Sequence, residues 1–306
     1  MDSGTYMTEG VAPAEPAMRD AERSADLMAA EHITIIEPAK GWQLINFREL
    51  WRYRELLYFL TWRDVKVRYK QTLLGAAWAI LQPVMMMVIF TIFFGRLAKL
   101  PAGNLPYPIF VFAGLLPWTF FASAIANSGN SVVGSERLIT KIYFPRLAVP
   151  FASILAAIVD FVIAFAVLAV MIAYYKMRGS PIHLGSGLLI APVIFAFIVL
   201  TATGVGTLLA ALNVAYRDFR YVIPFLVQLW MFATPTIYMQ PSAETGMRLT
   251  LFINPMAGFV AAFRSCVLGG PMPWEQLGVC ALVAVSVFFV GCLYFRKVED
   301  GFTDVI

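Results

Sequence analysis

Six apolar runs, most as long as a bilayer's hydrocarbon core is wide, dominate the sequence and restrict what it can fold into. They span about Leu73 to Gly95, Tyr107 to Ser128, Leu147 to Tyr175, Gly187 to Val214, Tyr221 to Met239 and Gln276 to Phe295. A helix needs about 20 apolar residues to cross lipid, and Asp160 is the one carboxylate inside these runs. The fifth run is marginal in length. At 60% hydrophobic and 14% charged residues over 306 positions, the chain is too apolar for a water-soluble domain of this size.

Orientation follows from the basic residues, which cluster beside the runs. With the N-terminus placed inside, fourteen Lys and Arg flank the cytoplasmic ends, against six on the other side: Arg96, Lys99, Lys176, Arg178, Arg248 and Arg264. The positive-inside rule therefore puts both termini in the cytoplasm. The net charge of +4 serves topology, and no motif for reading nucleic acid accompanies it. Residues 1–40 lack the continuous apolar core of a cleavable signal peptide and are expected to form a disordered cytoplasmic tail.

The remaining segments sort by periodicity. Residues 41–72 form an interface region, in which Trp51, Tyr58, Trp62, Val65 and Tyr69 fall on one helical face beside Arg and Lys. Such a stripe suits a helix lying in the headgroup plane; a solvated charged helix is the competing reading. Residues 73–295 form the six-helix transmembrane domain, and 296–306 a cytoplasmic C-terminal tail. Within 241–275, an apolar stretch broken at Asn254-Pro255 and closed by Arg264 reads as two short re-entrant helices on the outer side, with an ordinary outer loop as the alternative. Ala202, Gly206 and Ala210 recur every four residues and predict a close helix–helix approach, within the chain or across a dimer.

Chemistry-bearing residues are few. There is no G-x-x-x-x-G-K-[ST] loop to cradle phosphates, and the only two histidines, His32 in the expected tail and His183 in an outer loop, do not suggest a metal or nucleophile site. Neither is a zinc or disulfide framework indicated by Cys266, Cys280 and Cys292, which read as buried small hydrophobes. Asp160 is costly in hydrocarbon, by at least about 2.5 kcal/mol if charged and unpaired. It reads either as a helix-packing hydrogen-bond partner or as one member of an ion pathway, although a gradient-driven carrier would bring several such groups together.

The cytoplasmic loop at 129–146 is the most informative. Ser135 is placed to cap a short helix, and Leu138, Ile139, Ile142 and Tyr143 form one apolar face before Pro145 discourages continuation. That face has no partner in the chain and suits a groove on a cytoplasmic protein.

Several separated segments together resemble the membrane subunit of type 2 ABC exporters, specifically the permeases for O-antigen, capsule or teichoic-acid polysaccharides. They are Leu74-Gly75-Ala76-Ala77-Trp78-Ala79-Ile80-Leu81-Gln82-Pro83, Leu138-Ile139-Thr140-Lys141-Ile142-Tyr143-Phe144-Pro145-Arg146, Asn213-Val214-Ala215-Tyr216-Arg217-Asp218, Phe232-Ala233-Thr234-Pro235-Thr236-Ile237-Tyr238 and Asn254-Pro255-Met256. The resemblance implies an all-α polytopic fold in a bacterial inner membrane: six transmembrane helices, an amphipathic interface helix, a coupling helix and paired outer gate helices. It also implies a homodimer with two ATPase subunits that hold the ATP and Mg, so that the chain itself has no enzyme activity, cofactor or metal. The implied cargo is a polysaccharide linked to undecaprenyl diphosphate.

Under that resemblance, Glu136, Arg137, Leu138, Ile139, Lys141, Ile142, Tyr143, Phe144 and Arg146 couple to the ATPase, and Asn254, Pro255 and Arg264 belong to the outer gate. A glycan also needs aromatic surfaces to slide over. Trp78, Phe90, Phe93, Phe94, Trp118, Phe120, Phe121, Trp230, Phe232 and Tyr238 are the channel candidates. Two readings compete: a related permease for a small amphiphile, and a membrane glycosyltransferase or polymerase.

Overall fold

A computed structural model describes residues 47–70, 75, 77–183, 185–239 and 254–302, and among them the regular structure is helical. In chain order the helices are α1 (Phe47–Arg52), α2 (Arg54–Lys70), α3 (Ala77–Leu97), α4 (Tyr107–Gly134), α5 (Glu136–Ile139), α6 (Ala148–Met177), α7 (Ala191–Ala215), α8 (Phe219–Phe232), α9 (Pro255–Leu268) and α10 (Trp274–Val298). The final turns of α3, from Thr91, widen into a π-helix. The expected N-terminal tail and the first half of the re-entrant segment lie outside the described residues.

Five of these helices are long and apolar enough to cross a membrane: α3, α4, α6, α7 with its preceding turn from Gly187, and α10. The fifth expected span departs from this. Tyr221 to Met239 does not form one continuous helix: α8 stops at Phe232 after 14 residues, about 21 Å at 1.5 Å per residue, against a core of about 30 Å. Pro235 cannot donate to a helical carbonyl, and the chain turns through Ala233 to Tyr238 instead.

α4 sits at the centre, with Phe112, Leu116, Phe121 and Ile125 almost fully buried against α6, α7 and α9. α7 in turn packs along α10, and the crossing is set by two glycines. A Cβ on Gly291 would run into the carbonyl oxygen of Gly204, and one on Gly204 would fall 2.6 Å from the backbone of Phe288. Small residues thus let these backbones meet directly. The Ala202, Gly206, Ala210 stripe is likewise used within the chain: all three are buried, and a Cβ on Gly206 would meet Ser128 of α4 at 2.6 Å. By contrast, α3 and α8 leave most of their side chains exposed.

A second apolar cluster closes the end of the bundle that carries the 135–147 loop. It joins Leu60 of α2, Ile139, Phe144, Leu147, Ala210 and Val214 of α7, and Phe295 and Phe302 from the C-terminal end.

Candidate functional site

The loop between α4 and α6 begins with a single helical turn. Its backbone amides at Leu138 and Ile139 donate to the Ser135 carbonyl. The Ser135 side chain makes no cap bond; its hydroxyl instead accepts from the Arg63 guanidinium at 3.5 Å, so the expected capping role is not realised. Nor do the four apolar residues share one face. Ile139 and Phe144 turn inward into the end cluster, Leu138 is half-buried, and the chain between them bows outward. Ile142 is 56% exposed and Tyr143 65%, flanked by exposed Glu136, Arg137 and Lys141, with Arg146 half-buried at the far end. Fully burying a large apolar side chain yields about 1.5–3 kcal/mol, so Ile142 and Tyr143 together hold several kcal/mol available to a partner.

Asp160, on α6, has its partners on α2. The Arg68 guanidinium and the Tyr69 hydroxyl both donate to its carboxylate. Burial, and next the hydrogen bond to Asp160, pushes the Tyr69 phenol well above its usual range, so it stays a donor. One heptad earlier on α6, Ser153 donates to Asp64 at 3.2 Å, and Asp64 also pairs with Arg63 at 2.9 Å. Hydrogen bonds to a charged group contribute about 1.5–3 kcal/mol, comparable to the insertion cost of one carboxylate. The helix-packing reading of Asp160 therefore has its partners. This same docking turns Leu60 and Val65 inward, while Trp51, Tyr58 and Trp62 remain exposed. Val65 therefore leaves the aromatic stripe in which the sequence placed it.

At the opposite end, α9 begins where expected. The Asn254 side-chain carbonyl accepts from the Met256 amide at 3.1 Å, capping the helix, and from Trp230 Nε1 at 2.9 Å. Its amide nitrogen donates to Thr234 Oγ1 at 3.0 Å and to the Ala233 carbonyl at 3.1 Å. Pro255 occupies the first turn, where its missing N–H costs nothing, and Gly269 at φ +82° ends the helix. Arg264 reaches from α9 to the same turn after α8, donating to the Thr236 carbonyl at 2.6 Å and the Pro235 carbonyl at 3.3 Å. Its guanidinium also lies 3.9 Å over the Phe110 ring, and Tyr107 donates to the Ile237 carbonyl at 2.8 Å. The predicted gate residues are thus the pins that hold residues 233–238.

The aromatic candidates divide. Trp78, Phe93 and Phe232 are exposed, and Phe90, Phe94 and Tyr238 half-buried. Trp118, Phe120 and Phe121 are buried within the chain's own bundle, because they ride on its central helix, and none presents a face to a channel outside it. Trp230 stands edge-on to Phe121 at 5.0 Å and acts as a strut for Asn254. Sequence reasoning missed the Arg68–Asp160 pair, whose members lie 92 residues apart. The available signal was the need of a lone intramembrane acid for a cation, with a basic segment just ahead of the first span.

Residues 55–268 match the model of the family described as ABC-2 type transporter. The chain is 28% identical to the O-antigen export system permease protein RfbA of Myxococcus xanthus, over 85% of this chain and 98% of that protein. Identity to the protein of the same name from Klebsiella pneumoniae is 27%, over 82% and 95% of the two chains. The polysialic acid transport protein KpsM of Escherichia coli is 22% identical over 78% and 92%.

Proposed function

The chain belongs to the ABC-2 type transporter family, and from that premise we propose that it is the permease subunit of an ATP-driven exporter of O-antigen or a related polysaccharide. In this reading the cargo travels linked to undecaprenyl diphosphate across a bacterial inner membrane. Two copies enclose the channel, and two ATPase subunits hold the ATP and Mg. Both termini lie in the cytoplasm, which requires α8 and the turn after it to complete a sixth crossing.

One observation carries the proposal: the 135–147 loop is anchored by buried Ile139 and Phe144 and displays Ile142 and Tyr143 between them. A rigidly mounted apolar tip with charges around it is what a docking element needs, since its ordering cost is met before the partner arrives. The uncovered faces of α3 and α8 support a second copy, with Trp78, Phe93 and Phe232 exposed there to line a sugar path. Arg264 and Asn254 then hold the outer exit.

The test is co-purification with the co-expressed ATPase. Ile142→Ala with Tyr143→Ala is expected to abolish the complex and export while leaving thermal unfolding unchanged. Ile139→Ala, in the buried anchor, is expected to destabilise the chain by about 2–4 kcal/mol. Full ATPase binding and export by the Ile142/Tyr143 double variant would remove the coupling role.

A further inference from the structure

A cavity of about 400 Å³ opens between α2, α3, α4 and α6, and Arg68, Tyr69 and Asp160 form part of its wall. The rest is a mixed surface: polar Gln82 of α3 and Ser123 and Asn127 of α4 stand beside apolar Pro83, Phe120 and Phe161 and the ring of Trp78, which is 52% exposed. Polar side chains at membrane depth are tolerated where they pair or where they line a water-filled space. Arg68, Tyr69 and Asp160 satisfy one another. Gln82 and Asn127 carry no hydrogen bond among the described residues, so their amides are left to whatever enters the cavity.

The charges decide what that is. The wall holds one cation and one carboxylate, so an anion meets Asp160 and a cation meets Arg68. An apolar guest would seal two unpaired amides away from water, at about 1–3 kcal/mol for each group left unsatisfied. A neutral polyol meets none of these penalties. Each hydroxyl both donates and accepts, so it donates to the remaining lone pairs of Asp160 and accepts from Arg68, Gln82 and Asn127. Trp78 adds a flat apolar face for the C–H side of a sugar ring. The volume lies low in the range of small-molecule sites, about 300–1,000 Å³, which suits a mono- or disaccharide unit.

We propose that this cavity is a saccharide subsite, one in each chain, that engages a neutral sugar unit of the cargo toward the loop-bearing end of the bundle. It adjoins the proposed aromatic path, with which it shares Trp78, and it rests on the reading of the chain as a polysaccharide permease.

The experiment uses the full chain with its ATPase in lipid nanodiscs. The probes are the methyl glycosides of galactose, mannose and N-acetylglucosamine, read by saturation-transfer NMR, with inorganic pyrophosphate as competitor. Saturable binding of at least one glycoside is expected, unaffected by pyrophosphate. Gln82→Leu with Asn127→Leu is expected to weaken it at least about tenfold, the loss of two hydrogen bonds, and Trp78→Ala to weaken it independently. No binding of any glycoside, unchanged binding in both variants, or displacement by pyrophosphate would each overturn the subsite. Restoration of surface polysaccharide in a strain lacking the permease is scored separately. If the wild-type chain restores it while glycosides fail to bind, the subsite falls and the permease reading stands. If it does not, the permease reading falls, and the binding data judge the cavity alone.

Discussion

Replacing Asn254 by Ala removes four hydrogen bonds at once: those with Trp230, Met256, Ala233 and Thr234. At about 1 kcal/mol net for each bond, and about the same for a lost helix cap, the variant should be about 4 kcal/mol less stable. For a chain of this size that lowers the unfolding midpoint by roughly 10 °C. Asn254→Ser keeps an N-cap acceptor and should recover about 1 kcal/mol of the loss. Trp230→Phe removes the indole donor alone and should cost about 1 kcal/mol. Because that bond is counted in both single variants, the double variant should lose about 4 kcal/mol and not the additive 5. The assay is thermal unfolding in nanodiscs by circular dichroism at one fixed scan rate, since unfolding of such a protein is rate-dependent. An Asn254→Ala chain that melts with wild type, or strict additivity with Trp230→Phe, would refute the view that Asn254 pins the turn after α8.

Two further outcomes follow from the packing and the orientation. Gly291→Ala, whose Cβ meets the Gly204 carbonyl, should cost toward the upper end of about 1–3 kcal/mol, whereas Gly278→Ala on the same helix has open space around it and should stay within about 0.5 kcal/mol; comparing the two midpoints checks this. The buried thiols of Cys266, Cys280 and Cys292 should react slowly with maleimide until the protein is denatured, so that a Lys141→Cys variant should label rapidly from the cytoplasmic face only, and labelling from outside would reverse the topology.

The five long spans were readable because a run of about 20 apolar residues has few other uses. α8 was not, because hydropathy counts Ala233 to Met239 as apolar and is blind to Pro235 and to the carbonyls that Arg264 and Asn254 draw out of the helix. The start of α9 was legible, since Asn-Pro is both a cap and a first-turn residue. Loop 135–147 was half legible: periodicity found its apolar residues, yet could not say that Ile139 and Phe144 would be taken by Leu60, Phe295 and Phe302. The small-residue spacing on α7 signalled close contact, while its choice of Ser128 within the same chain depended on α4 becoming the central helix. Gly204 and Gly291 escaped notice, since each is an isolated glycine until the two helices cross.

α2 is joined to α6 at two levels, by Ser153 and by Asp160, and shares its apolar underside with the anchored loop, so the three elements are packed as one unit. Through Ile139 and Phe144, which flank Tyr143, the loop is packed against residues of α7 and the C-terminal end of α10. On the proposed reading, a partner that docks on that tip would bear on several helices at once, rather than on a single strand of protein.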